Sequence, residues 1–214
     1  MSDIELLYFN IAGKARFIRL AFAIGGVEFK DTRLSRDGFN KAKEAGECPY
    51  GQLPVLKVKG EALAQSTAIL RYVGKITGLY PEDPILAAKV DSYMDLVEEP
   101  WDMLTNTMFP LRRGLKDWTD QEKKEIRVTL NNEIIPAKLK FLDAVLQGSK
   151  SGYFLDKISI ADLKVHTFYK WLQMGILDHV STADYNLPGI EKMVDMVDKH
   201  PAVVKWFAEG KVSK

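Results

Sequence analysis

The chain carries a single cysteine, Cys48, which excludes an intramolecular disulfide and fits a reducing compartment. It lacks any apolar run of about the eighteen residues that a membrane-spanning helix needs. Met1-Ser2-Asp3 has neither the basic start nor the apolar stretch of a secretory signal, so a cytoplasmic protein is expected. Charge of one sign is missing as well. Thirty basic side chains against twenty-nine acidic ones leave a formal charge of +1, which argues against a nucleic-acid footprint. His166, His179 and His200 show no metal-ligand spacing, so they are read as structural and no metal is expected. A small molecule or another protein is the expected partner. With 214 residues, 46% of them hydrophobic, the chain has length for a real core in one large domain or two small ones.

The organisation changes part-way along. The first eighty or so residues alternate strand-like and helix-like stretches: strand 4–8, helix 15–25, strand 28–33, a loop or short helix at 36–46, strands 54–58 and 61–64, and helix 66–77. Lys59-Gly60-Glu61 reads as a tight hairpin turn. Beyond about residue 86 only helical periodicity remains, with helices at about 86–114, 121–146, 159–174, 188–198 and 201–208. Gly78-Leu79-Tyr80-Pro81-Glu82-Asp83-Pro84 combines glycine with two prolines, which end helices and stiffen connections. The boundary is placed there, giving domains 1–80 and 86–214. The βαβ then ββα order of the first is thioredoxin-like, and the second is all-α. In the second, Ser159-Ile160-Ala161-Asp162 is a capping box, with Ile158 and Leu163 at the positions of a hydrophobic staple.

Three stations in the first domain carry chemistry. Tyr8 closes the apolar run Ile4 to Tyr8, and a turn containing Gly13 follows. A phenol is thereby placed at the carboxyl end of a strand, the edge where α/β sheets collect ligands. The second station is Gly51-Gln52-Leu53-Pro54-Val55-Leu56, and the third is Gln65-Ser66 before the apolar-periodic helix Thr67 to Val73. Ser66 is a natural N-cap, and a helix start with exposed N–H groups suits a carboxylate.

These stations, with the Gly13 to Arg19 run, resemble the cytosolic glutathione S-transferases, and among them the tyrosine-type, sigma-like class that includes prostaglandin D synthases. The resemblance covers essentially the whole chain. It implies a thioredoxin-like glutathione-binding domain, a helical domain that contributes the electrophile pocket and dimer interface, a homodimer, glutathione as cosubstrate, and a detoxifying transferase reaction on apolar electrophiles. It implies Tyr8 as the catalytic hydroxyl that stabilises the thiolate. Glutathione is implied to contact Tyr8, Lys14, Phe39, Lys43, Gln52, Leu53, Pro54, Gln65 and Ser66, with a cis bond before Pro54 and Glu99 reaching in from the partner subunit. Glu99 belongs to an acidic ridge with Asp91, Asp95 and Glu98, which by itself reads as a solvated face. The implied electrophile walls are Phe9, Ala12, Gly13, Trp101, Met103, Phe168 and Trp171; at helical spacing at least half of these are expected to be core. Two departures stand out. Lys14 and Phe39 occupy positions where the class usually has arginine and tryptophan, so a planar donor fork and an indole N–H are lost and weaker glutathione binding is expected. Cys48 reads as an ordinary thiol on a loop. The same activated thiolate would serve a glutathione-dependent isomerase or peroxidase, and a non-catalytic ligand carrier is the alternative from another class.

Overall fold

The computed structural model describes residues 3–109 and 117–210. Contacts divide the chain into two units, Met1–Glu82 with Met196–Lys214, and Asp83–Asp195. The segment from residue 196 onward groups with the amino-terminal unit by its contacts. The reason is local packing, since the helix Pro201–Ala208 lies against α1 (Arg16–Gly25).

The first unit is a four-stranded sheet of order β2-β1-β3-β4, with β1 at Ile4–Phe9, β2 at Lys30–Leu34, β3 at Val55–Val58 and β4 at Glu61–Ala64. β1 pairs parallel to β2 and antiparallel to β3, and β3 pairs antiparallel to β4. This is the expected thioredoxin-like order. The hairpin turn falls between the expected strand bounds: Val58 pairs with Glu61, so Lys59 and Gly60 make the turn, both at positive φ of 50° and 84°. Two such residues match the right-handed strand twist. One face of the sheet packs Leu7 and Val55 against Ala42 and Cys48, with Leu34, Phe39 and Leu53 around them. Ala42 and Phe39 come from α2 (Arg36–Glu44), whose Ser35 cap accepts from the Gly38 N–H at 3.0 Å. Cys48 lies on a loop as expected but is buried, and burial first, then Glu47, pushes its thiol pKa up.

α1 packs against α3 (Ser66–Thr77). They meet closely at Gly25, where an added Cβ would collide with the Thr77 side chain; any larger residue must move a helix. Phe17, Ile18, Leu20, Ala21 and Phe22 of α1 are buried, and so is Arg19 of the same helix.

The second unit is built on α4 (Pro84–Met108), α5 (Asp120–Thr129), α6 (Ile135–Gln147), α7 (Ile160–Gln173) and most of α8 (Pro188–Asp198), after which α9 (Pro201–Ala208) returns to the first. The expected helix 86–114 ends at Met108 in α4, and its residues 110–114 lie outside the described residues. The expected continuous helix 121–146 is interrupted by a π turn at Leu130–Ile134. Pro136 follows directly after Ile135; it has no N–H to continue the i→i−4 ladder, which makes a wider turn the local solution. α7 opens on the expected capping box. The Asp162 carboxylate accepts from the Ser159 N–H and hydroxyl, each at 2.8 Å, and from the Phe154 N–H at 3.0 Å. Lys164, fully buried on the same helix, pairs with Glu98 of α4 at 2.6 Å.

Candidate functional site

The register of the sheet brings the three stations to one edge. Leu7 pairs with Val55, and Val55 pairs with Ala64. Tyr8 lies one step beyond Leu7, Pro54 one step before Val55, and Gln65 one step beyond Ala64. Because β3 runs antiparallel to both neighbours, the end of β1, the start of β3 and the end of β4 coincide, on strands about 4.8 Å apart.

Tyr8 is buried, and its phenol oxygen accepts a hydrogen bond from the Lys14 backbone N–H at 3.2 Å. Gly13 permits that contact. Its φ is +43°, and a Cβ there would stand 2.5 Å from the Tyr8 Oη, so both backbone shape and space require glycine. The place implied for Gly13 was the electrophile wall; what it touches here is the phenol oxygen. The turn continues as a short 3-10 segment, Gly13–Ala15, into α1.

At the second station the Leu53-Pro54 bond is cis, as the resemblance implied. Pro54 is buried, Leu53 half-buried and Gln52 exposed. Gly51, at φ +61°, sits beside the aliphatic stem of Lys43, whose Cδ would be 3.6 Å from an added Cβ. α2 therefore delivers Lys43 to this station. Phe39, also on α2, meets the edge of Phe9 with ring centroids 5.4 Å apart. At the third station the expected cap is displaced by one residue. Gln65, not Ser66, is the N-cap of α3, and its side chain makes no capping hydrogen bond. Ser66 is the first helical residue and is buried. Gln65 has φ 72° and ψ 110°, a conformation that costs a residue with a side chain on the order of 1–3 kcal/mol and is commonly held where a ligand is gripped.

The residues assigned to the second unit fare unevenly. Trp101 and Phe168 are 3% and 0% exposed, with ring centroids 5.3 Å apart, so they are core. Trp171 is half-buried, 5.9 Å from Trp101, and Met103 is 37% exposed. Phe9, Ala12 and Gly13 of the first unit are half-buried. Glu99 accepts from the Lys138 ammonium at 2.7 Å. His200 is structural as expected, its Nδ1 accepting from the Ala202 N–H at 3.3 Å at the start of α9. Among the described residues no group of three or more His, Cys, Asp or Glu could hold a metal ion. A cavity of about 310 Å³ lined by Phe29, Asp31, Arg33, Trp206 and Gly210 contains none of the expected site residues.

One neighbour of the site escaped the sequence reading. Arg19, 1% exposed, places its guanidinium over the Tyr8 ring, 5.7 Å from the centroid. Burial pulls its pKa down while Asp31 opposes the shift. The available signal was an arginine inside the buried stripe Ala15, Arg19, Phe22 of an amphipathic helix.

Residues 4–75 match the glutathione S-transferase N-terminal domain model, and residues 105–210 match the C-terminal domain model. Glutathione S-transferase 1 of Ascaris suum is 33% identical over 218 residues, covering 98% of this chain and 97% of that protein. The chain belongs to the glutathione S-transferase family. A solved structure of a prostaglandin synthase D from Nilaparvata lugens superposes with a TM-score of 0.82 at 26% identity, covering 98% of this chain and 99% of the other. A glutathione S-transferase of the hookworm Necator americanus, described as monomeric, superposes with a TM-score of 0.75 at 31% identity over 99% of this chain and 98% of that one. Among the described residues no helix is long and apolar enough to cross a membrane.

Proposed function

We propose that this glutathione S-transferase-family enzyme activates the thiol of glutathione for attack on apolar electrophiles. The observation that carries the reading is the convergence of Tyr8, Leu53-Pro54 and Gln65-Ser66 at one sheet edge through the pairs Leu7–Val55–Ala64. Each station suits one part of the tripeptide. The start of α3, with its positive dipole end and the Ser66 hydroxyl, takes the γ-glutamyl carboxylate. The backbone of Leu53 pairs with the cysteinyl residue as a short added strand, with Gln52 alongside. Lys43 supplies positive charge for the glycyl end with Phe39 as a hydrophobic wall, and Lys14, beside the Tyr8 hydroxyl, adds positive charge near the thiolate. Tyr8 donates its hydroxyl proton toward the sulfur.

The chemistry needed is modest. A free thiol titrates near 8.5, so only roughly a few per cent is thiolate at neutral pH. A donor aimed at the sulfur favours the anion, and each unit of depression raises its fraction about tenfold until it saturates. The thiol proton passes to solvent, and the anion attacks the electrophilic carbon, forming a C–S bond as the leaving group departs with its electron pair or as a double bond opens and takes up a proton from water. Gln65, held in its strained conformation, and Ser66 orient the far end of the peptide so that this attack is intramolecular in effect.

Phe9, Ala12, Met103 and Trp171 are the remaining candidates for apolar contact with the electrophile. We assign the enzyme to the cytoplasm as a homodimer, with Glu99 contributing to the partner's glutathione amine. The assay that tests the activity combines purified protein, glutathione and a panel of electrophiles, with a prostaglandin precursor included because of the likeness to a prostaglandin synthase D. Conjugation by several panel members is the expected result. Glutathione bound with no turnover of any member would make the protein a carrier.

A further inference from the structure

We propose that Arg19 is a positioning residue for Tyr8, setting the phenol's orientation and through it the acidity of the bound thiol. The inference rests on the reading of Tyr8 as the thiolate-stabilising hydroxyl. It stands on a set of contacts that converge on the segment between Tyr8 and Gly13. Arg19 Nη1 donates to the Ile11 carbonyl at 2.8 Å, Nη2 to the Phe9 carbonyl at 3.4 Å, and Nε to Asp31 Oδ1 at 3.0 Å. Asp31 Oδ2 accepts in turn from Arg33 Nε at 3.0 Å, and Arg33 Nη1 donates to the Asn10 side chain at 2.9 Å. Phe9, Asn10 and Ile11 are thus gripped one after another, the first and third from inside by Arg19 and the second by Arg33.

This grip has a consequence for the phenol. After Phe9 the chain must turn back so that the Lys14 N–H reaches the Tyr8 oxygen at 3.2 Å, with Gly13 pressed against that oxygen. Arg19 holds the two carbonyls at the start of this turn while covering one face of the Tyr8 ring. A guanidinium is needed because three acceptors lie around it in different directions. Its planar fork reaches all three, whereas a lysine concentrates its donors at one atom. A buried cation with one carboxylate partner would be explained by stability alone. The added grip on Phe9 and Ile11, together with the position over the ring, ties it to the geometry of the phenol.

The test uses Arg19→Lys and Asp31→Asn in the full chain, with folding followed by thermal melting. The readouts are the ultraviolet thiolate absorbance of bound glutathione against pH, glutathione affinity by calorimetry, and kcat and KM for one active electrophile. In Arg19→Lys the thiol titration midpoint is expected to rise by about one unit and kcat near neutral pH to fall about tenfold, with glutathione affinity within roughly threefold of the parent. Asp31→Asn, which loosens the same guanidinium, is expected to shift both in the same direction by less; it decides the matter if Arg19→Lys does not fold. A parent-like titration midpoint in the folded variants overturns this inference alone. A parent that shows no thiolate near neutral pH overturns the Tyr8 reading, and the inference with it.

Discussion

The Tyr8 phenol oxygen accepts from the backbone N–H of Lys14 at 3.2 Å. The residue at position 14 therefore supports the phenol through its main chain, which any residue but proline supplies. This gives the departure from arginine a physical meaning: the support of the tyrosine survives it. What the Lys14 side chain adds to the site is its charge.

For Tyr8→Phe, turnover is expected to fall by roughly one to three orders of magnitude, as loss of one donor to a reacting anion commonly causes. Glutathione affinity should change little. Thiolate absorbance titrated in mutant and parent checks the assignment, and identical curves would refute it.

Lys14→Ala leaves the 3.2 Å contact in place, so turnover within about threefold of the parent is expected, with a small salt-dependent loss of glutathione affinity. A loss above about tenfold would return the role to the side chain. Steady-state kinetics at two ionic strengths separate the cases.

Gly13→Ala must both adopt φ +43° and move the Tyr8 oxygen, 2.5 Å from the new Cβ. Strain of this kind costs on the order of 1–3 kcal/mol. The melting temperature should drop and kcat should fall more than KM for glutathione changes, since the phenol is what is displaced. Kinetics of the folded variant decide it: a parent-like kcat would mean that the phenol position is not critical.

Glu99 already holds Lys138 at 2.7 Å, with its side chain 61% exposed. An exposed pair of this type contributes about 0–1 kcal/mol. If Glu99 also serves the partner's glutathione, Glu99→Gln should weaken glutathione binding several-fold while leaving the melting temperature near that of the parent. Light scattering tests the premise, because a fully active monomer at micromolar concentration eliminates the shared site.

Burial pushes the Asp162 carboxyl up to about 6, against the opposing hydrogen bonds from Phe154 and Ser159. Raised above its unfolded value, it makes the fold bind a proton that the unfolded chain releases. Its contribution is full below about pH 4 and is lost as pH rises through about 6, a change on the order of 3 kcal/mol. The stability of the parent relative to Asp162→Asn should therefore decline between about pH 4 and 6 and level off above. Asp162→Ala, which strands the Phe154 and Ser159 donors, should destabilise by about 2–5 kcal/mol, most below about pH 4 and least above about pH 6. Chemical denaturation across that range measures both.

The order of strands and helices was legible because each element carries its own local signal. Periodicity of two or 3.6 marks the segments. The helices 66–77, 188–198 and 201–208 and the strand 61–64 were readable to the residue, since apolar spacing and flanking glycine or proline bound them. The N-cap of α3 at Gln65 in place of Ser66 was not, because it is set by the positive φ that the chain takes at Gln65 as β4 ends. Nor was the π turn at Leu130–Ile134, since the pattern on either side of Pro136 stays helical.

The sequence by itself determined the family, the three stations and the residue types suited to binding a tripeptide and activating a thiol. These are written in short contiguous stretches, each with its own turn or cap chemistry. Only the tertiary structure decided what those stations meet. The Leu7–Val55–Ala64 register joins segments far apart in the chain, and it alone puts Tyr8, Pro54 and Gln65 at one edge. Packing also separated core from candidate wall, burying Trp101 and Phe168 and leaving Met103 exposed, and it turned Arg19 from one more helix residue into the clamp on the Tyr8 turn. Such facts depend on which surfaces pack together, and helical or strand periodicity records that a face is buried without recording against what.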